Sequence, residues 1–517
     1  MIKKIYCTTV LLCSIALASA QSTQWSGKFG GDGEDVVLAM HTDANGNTYT
    51  TGYFSLSCDF DIDATSEVFL HTNSDFECFV QKTGPDGNFL WARGMGGVLG
   101  DYGTKITTDA EGNVYVTGVF QDVADFDPSD GIVTLTSAGS LDIFVVKLNE
   151  YGDFVWARSF EGTEYEESNG IGVDSDGNVY VSGYFYAPLD FDPGEGEHIL
   201  TAVSGDGFLV KLNANGSFIW AKQFGGSDFD LATGMKTLPN GDVYISGNFT
   251  DTADFDPSPT ETYNLTADAG TGGIYLMQLK ANGDFVKAVK IGQVVNGGYG
   301  LSVDLDSTGA AYVTGYLTGV GTFVTDGGTV TMTPSEYLNG YVAKITNEGT
   351  VAWAKQLTSD MLSTGYAVAV NNNDEVFVSG YFNGNLSLGD TTLTEVSELD
   401  SENFVTKMDT NGNFIWARQF GGINTVDRFT MSVDNDSNVY LSGAFEGTVD
   451  IDPDVTGVNT VTPSAFRDNF LIKMNGTNLS VTDHGTKNAI ALYPNPVKNV
   501  LSISGAKSFR RSAVPRL

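Results

Sequence analysis

One seven-residue pattern constrains this chain more than any other feature: Val243-Tyr244-Ile245-Ser246-Gly247-Asn248-Phe249, because it occurs seven times. The copies are Tyr49–Phe54, Tyr115–Phe120, Tyr180–Phe185, Tyr244–Phe249, Tyr312–Leu317, Phe377–Phe382 and Tyr440–Phe445. Their glycines stand at 52, 118, 183, 247, 315, 380 and 443, so the spacing runs 66, 65, 64, 68, 65 and 63 residues. A period this regular marks one supersecondary unit copied in tandem. By length alone, 517 residues would allow three domains. The period argues instead for one large closed repeat domain over 21–475. Abundant Gly (62) and modest Pro (13) suit many short strands joined by tight turns.

The fourth copy shows the unit. Leu231–Leu238 reads as a first strand, Pro239-Asn240-Gly241-Asp242 as a turn, and Val243–Phe249 as the signature strand. An acidic segment, Ala253-Asp254-Phe255-Asp256-Pro257, lies in the long connection that follows. Tyr275–Leu279 is then a third strand, Lys280–Gly283 a turn and Phe285–Ile291 a fourth strand. Asn-Gly and Asp-Gly turns between alternating runs are the pattern of antiparallel hairpins. The third strand recurs at Phe79–Lys82, Phe144–Lys147, Phe208–Lys211, Tyr341–Lys344, Phe404–Lys407 and Phe470–Lys473. The fourth recurs around Trp91, Trp156, Trp220, Trp353 and Trp416, with Trp25 as a further copy and Lys287 in the fourth repeat. Every Trp therefore holds one equivalent position, as a packing anchor between neighbouring units does.

The two ends are complementary. The chain starts with an orphan fourth strand at Trp25 and ends, after Phe470–Met474, without one. Joining them completes a last sheet, closes a ring and removes two exposed sheet edges. The expected fold is an all-β, seven-bladed β-propeller of four-stranded antiparallel blades closed by N- and C-terminal strands, plus a short truncated β segment at the carboxy end.

The first twenty residues read as a secretory signal peptide (1–20): Lys3 and Lys4, an apolar run Val10–Leu17, and Ala18-Ser19-Ala20 before Gln21. No segment is long and apolar enough to be a transmembrane helix. Removal of Lys3 and Lys4 leaves 25 of 27 basic residues against 64 acidic ones, a formal charge of −39. Such a chain repels nucleic acid and anionic membrane and favours cations or basic partners. The plainer account of the charge is solubility outside the cell. Two of the four cysteines leave with the signal; Cys58 and Cys78 remain, and export makes a disulfide between them the expectation, buried thiols the alternative.

The Gly-Asn-Val-Tyr-Val-Ser-Gly run at 177–183, the Phe-Val-Val-Lys-Leu run at 144–148 and the Trp-Ala…Phe-Gly-Gly run at 220–226 resemble the bacterial seven-bladed β-propeller repeat proteins. The resemblance spans about residues 22 to 475. It implies architecture and export, since that family carries no common activity. Repeats five and six depart most, lacking the acidic motif. After a polar linker at 476–488, Ala491-Leu492-Tyr493-Pro494-Asn495-Pro496-Val497 and a strand at Val500–Ser504 resemble the opening of the carboxy-terminal sorting domain of Bacteroidota type IX secretion. Relatives continue through several more strands, whereas this chain ends in Gly505–Leu517. The resemblance thus implies a truncated sorting domain at 489–517, the type IX machinery as a partner, and an extracellular or cell-surface location.

Loop order places the long acidic connections and the Gly-Gly-x-x-Asp segments on one face of such a disc. That face would carry Asp59, Asp61 and Asp63; Asp125 and Asp127; Asp190 and Asp192; Asp254 and Asp256; Asp450 and Asp452. Asp32, Asp35, Asp101, Asp228, Asp230 and Asp427 would join them. In Asp-Phe-Asp an extended backbone puts both carboxylates on one side, and with loop carbonyls they are metal-ligand candidates for Ca²⁺. The alternative is that Phe plugs the blade while the aspartates stay wet. It is favoured, because Ca²⁺ takes more ligands than two carboxylates. The Asp174-Ser175-Asp176-Gly177-Asn178 turn lacks the spacing of a calcium loop and reads as a hairpin turn.

The histidines (His41, His71, His198, His484) lie in different repeats or the tail, so no catalytic residues are identifiable from them. His41 and Lys105 fall on the first strands expected to line the channel. The reading is a secreted or surface-displayed binding scaffold for an extracellular polymer or protein, acting through the acidic face. The alternative is an exported propeller-type carbohydrate-active hydrolase or lyase using irregular carboxylates at the axial mouth. Uniform repeats favour binding, and the longest irregular region, Thr318–Leu338, shows no cluster of Glu, Arg and His.

Overall fold

The computed structural model describes residues 23–72, 74–396, 401–422, 425–453, 458–476, 491–493 and 502–504. It divides into two units. One is Thr23–Gly476; the other combines Met1–Ser22 with Thr477–Leu517. Of the second, the described part is a hairpin in which Ala491–Tyr493 pairs antiparallel with Ser502–Ser504. The signal segment, nearly all of the linker and most of the expected sorting domain lie outside the described residues. Every regular element among the described residues is a strand.

The fourth repeat forms a ladder in the order Leu231–Thr237, Val243–Thr250, Thr271–Leu279, Phe285–Val295, antiparallel throughout. Each other signature copy likewise sits between a first and a third strand. The alternation explains why. Tyr244 and Ser246 point to one side of the sheet and Val243, Ile245 and Gly247 to the other, and all are buried because both faces are covered by neighbouring sheets. Gly247 is required there, since a Cβ would stand 1.9 Å from the Leu231 carbonyl oxygen.

Thr23–Gly31 pairs antiparallel with Asp468–Asn475, with Trp25 opposite Lys473 and Lys28 opposite Phe470. It completes the ladder begun by Thr425–Val433 and Asn438–Phe445. The first strands stand side by side. Val36–Thr42 lies next to Tyr102–Thr108, followed by Glu166–Val173, Leu231–Thr237, Gly298–Leu305, Ala367–Val370 and Thr425–Val433, which again adjoins Val36–Thr42. A bulge interrupts most of these strands, for example between Gly103 and Lys105 and between Ala232 and Gly234. The extra residue reaches the next strand: Thr104 Oγ1 donates to the Ser168 carbonyl at 2.9 Å, and Thr233 Oγ1 to that of Gly300 at 2.5 Å.

The apolar core lies between adjacent sheets rather than within one. Tyr49, Trp91, Val116 and Phe144, from two successive repeats, share a cluster. At most joints the Trp indole packs edge-on against the signature Tyr of its own sheet, as Trp156 does against Tyr115 at 6.3 Å; Trp416 packs on Phe377 instead. Among the described residues, the indole Nε1 in four of these donates to a turn carbonyl of the next repeat: Trp156 to Ala214 at 3.1 Å, Trp91 to Glu150 at 3.1 Å, Trp353 to Thr410 and Trp25 to Pro85. Arg158 adds bonds to the carbonyls of Gly216 and Asn215. Gly216 has φ +76°, and a Cβ there would meet the Trp156 ring at 2.9 Å, so the turn supplies both the left-handed backbone and the space. In the fourth repeat, Lys287 Nζ makes the equivalent reach to the Asn347 carbonyl.

Candidate binding surface at the mouth of the axis

The acidic segments are straps between repeats. Pro188–Asp190 pairs with the end of the preceding fourth strand, Leu189 opposite Gly162; Thr252–Asp254 pairs likewise with Gly225 and Gly226, and Ser57–Asp59 with Gly30 and Gly31. The first aspartate closes the loop from inside. Asp190 Oδ1 accepts the N–H groups of Asp192 (3.0 Å) and His198 (2.8 Å). Asp254 takes those of Asp256 and Tyr263, Asp125 those of Asp127 and Val133, Asp59 those of Asp61 and Val68, and Asp450 those of Asp452 and Asn459. Phe60, Phe126, Phe191 and Phe255 are fully buried as plugs. A groove of about 930 Å³ beside the Trp25 strand gathers Asp32, Asp59, Asp61 and Asp63. Among the described residues, no three His, Cys, Asp or Glu side chains converge to hold a metal ion. Repeats five and six replace the motif with hairpins, Gly321–Thr325 with Gly328–Met332 and Asn385–Leu388 with Thr391–Thr394.

The Gly-Gly-x-x-Asp aspartates do not share the wet face. Asp35, Asp101 and Asp230 are buried, each returning to its own glycine: Asp230 Oδ2 accepts the Gly226 N–H at 2.6 Å. Each faces a second acid from the start of a third strand. Burial, then the charge of Asp468, pushes Asp35 up to about 8. Burial chiefly raises Asp101 and Asp230 to about 7. Glu166, fully buried beside Asp142, is also raised to about 7, by burial first and then by that neighbour's charge. The glycine before each acid makes room: a Cβ on Gly225 would lie 2.6 Å from Asp206 Oδ1 and 3.2 Å from Asp230 Oδ2.

The Asp-x-Asp-Gly-Asn turns are hairpin turns on the opposite face. Asp174 accepts the N–H groups of Asp176 and Asn178 and the Tyr180 hydroxyl, and Gly177 has φ +78°. Inside the axis, His41 Nε2 is 3.1 Å from Thr108 Oγ1. Burial, and then the charge of Lys236, lowers its pKa to about 4. Lys236 itself is bound to Asp304 at 2.8 Å. Lys105 lies on the neighbouring strand Tyr102–Thr108. His71 stacks on Phe69 and His198 packs tilted against Phe218, and His484 lies outside the described residues.

The expected disulfide is corrected: Cys58 and Cys78 are buried free thiols. They belong to different ladders, Cys58 on the strap against Gly31 and Cys78 opposite Tyr53. They pack into separate apolar clusters.

Sequence reasoning overlooked the aromatic residues at the other end of the axis. In four repeats the residue after the signature glycine is Tyr: Tyr53, Tyr184, Tyr316 and Tyr381. Tyr184 stands opposite Glu167, and Tyr316 opposite Tyr299. Tyr53 meets Phe76 and Tyr102 at 5.0 and 5.1 Å. Tyr165, Tyr184, Tyr186 and Phe229 form a second group, with Tyr184 and Tyr186 at 5.7 Å and Tyr186 and Phe229 at 6.0 Å. Tyr299 stacks on Tyr316 at 4.9 Å, and Tyr366 lies 5.9 Å from Tyr381. These rings are partly exposed, Phe229 by 49% and Tyr165 by 38%. Aromatic faces left partly open on one rim stand among carboxylates, Glu34 accepting the Tyr53 hydroxyl at 3.1 Å and Glu167 those of Tyr165 and Tyr184, the composition of a surface patch that takes a ligand.

Residues 155–184 match the family model described as a β-propeller repeat. The chain is 24% identical over 465 residues to "Uncharacterized WD repeat-containing protein L264" of Acanthamoeba polyphaga mimivirus, covering 75% of this chain and 33% of that protein. It is 26% identical over 148 residues to "Regulatory protein FlaEY" of Caulobacter vibrioides, covering 28% of this chain and 15% of that one. The chain thus spans a third or less of the length of these curated relatives. Among solved structures, a protein of unknown function from Dyadobacter fermentans aligns with 87% of this chain and 98% of its own at a TM-score of 0.36 and 10% identity. Over residues 155–184 the chain is similar to β-propeller repeat proteins, and the blade-like antiparallel sheets around that segment are of the same kind.

Proposed function

We propose that this protein is an exported seven-bladed β-propeller that acts as a binding scaffold, presenting the axial mouth and its surrounding connections to an extracellular polymer or protein. The observation that carries the reading is the belt of partly exposed tyrosines at one end of the axis, in a molecule whose other large aromatic residues are mostly buried in the joints between sheets. Rigid, amphipathic tyrosine rings give contact area at low entropic cost. The signature strands that hold Tyr53, Tyr184, Tyr316 and Tyr381 are each paired on both sides, with a first and a third strand. The uniform joints, and carboxylates whose oxygens already hold backbone N–H groups, support binding over turnover. Export rests on the amino-terminal sequence, and display through the type IX machinery on the carboxy-terminal resemblance.

The test is to screen the purified protein on arrays of glycans and of extracellular proteins, alongside generic glycosidase and lyase substrates. A ligand whose binding is lost on Tyr53→Ala or Tyr316→Ala, with no turnover, is the expected result. Turnover abolished by substitution of one aspartate would replace this reading with the hydrolase or lyase.

A further inference from the structure

We propose that Tyr165, Tyr184, Tyr186 and Phe229 form a cage for an organic cation, an alkylammonium group, with Glu167 as its counter-charge. The inference rests on the reading of the mouth as a binding surface and names what one sector of it takes.

Glu167 is held by its surroundings. Its Oε2 accepts the Tyr165 hydroxyl at 2.7 Å and the Tyr184 hydroxyl at 2.5 Å. Among the described residues, no Lys or Arg forms an ion pair with it, whereas Glu34, across the mouth, is met by Arg467 at 3.4 Å. A partly exposed carboxylate fixed by two phenols and left without a cation is electrostatically incomplete. Two of the rings around it stand at steep angles, 77° between Tyr184 and Tyr186 and 73° between Tyr186 and Phe229, and Tyr165 is tilted by 37° from Tyr186 and 42° from Tyr184. Walls set at such angles around one carboxylate suit a compact cation, which each ring attracts through its negative face. A flat sugar ring would want one open platform instead. Two of the cage residues are also pinned at the backbone, Phe229 by a bridge to Gly205 and Tyr165 by a bridge to Leu141. The net charge of −37 raises the local concentration of any cation that approaches.

The test is calorimetric titration of the folded mature protein with tetramethylammonium chloride, with a heptalysine peptide and with cellohexaose. Wild type is compared with Glu167→Gln and Tyr186→Leu, all checked for an unchanged melting midpoint. Saturable tetramethylammonium binding, weakened about tenfold or more in both variants, is the expected result. Should Tyr186→Leu lower the midpoint, Glu167→Gln decides, since it keeps the shape and the acceptor for the phenols. If heptalysine binds in the same variant-dependent way, the natural source is a basic chain; if heptalysine does not bind at all, the source is a small ammonium ion. No saturable cation binding to wild type would overturn the cage, as would binding equal in all three proteins or cellohexaose binding lost in Tyr186→Leu. Heptalysine bound equally by all three would remove the cage and leave the acidic binding face standing.

Discussion

Trp156 shows how much rests on single side chains. It is nearly buried, packs on Tyr115 and bonds to the next repeat through the Ala214 carbonyl. Trp156→Phe keeps most of the apolar contact and loses the bond, and is expected to cost about 1–2 kcal/mol. Trp156→Ala also opens a cavity and is expected to cost about 3–5 kcal/mol. Denaturant titration of both variants checks this; equal small losses would show that the joint does not depend on the indole. The role of the tryptophans was legible because symmetry placed all of them at one position. The tyrosines of the mouth were not. Tyr184 lies on the same side of its strand as the buried Tyr180 and Ser182, so alternation alone does not mark it as open, and Val119, Asn248 and Ala444 break the pattern in other repeats.

At the scale of the element, the paired acids between sheets make stability depend on pH in an unusual sense. Asp35, Asp101, Glu166 and Asp230 hold their protons in the folded state to about 7 or 8, whereas the unfolded chain releases them near the ordinary 3.8 or 4.5. Between those limits the folded state binds more protons, so stability is full below about pH 4 as far as these groups are concerned and falls as pH rises toward 8. Glu166→Gln imitates the protonated form. Chemical denaturation should find it unchanged near pH 4 and more stable than wild type at pH 8, with a flatter profile between; a variant less stable at pH 8 would contradict the assignment. The straps lead to a second expectation. Their leading aspartates already spend an oxygen on two backbone N–H groups, so millimolar Ca²⁺ should leave the melting midpoint where chelator leaves it. A rise of several degrees would restore the cation reading. Sequence alone could not sort these acids. Asp35 and Asp59 look alike on paper, and only the three-dimensional joint shows that one is buried against Asp468 while the other closes a loop.

For the whole molecule, the period, the strand order and the orphan strand at Trp25 already implied a ring, since tandem sheets that bury both faces must close or be capped. What the sequence withheld was how neighbours are fastened. The fasteners are indole and guanidinium bonds to turn carbonyls, bulged threonines along the axis and straps from one repeat to the next. The thiols show the limit of reading chemistry from compartment, because an oxidising setting joins only cysteines that the fold brings together. The central claim is closure, with Thr23–Gly31 zipped onto Asp468–Asn475. Native-state hydrogen exchange resolved to these two strands tests it most directly. Amides of Thr23–Gly31 should be protected to the same free energy as those of Asp468–Asn475, and deletion of residues 23–31 should expose the latter. Exchange of Thr23–Gly31 at the rate of a free tail, with Asp468–Asn475 still protected, would contradict the ring.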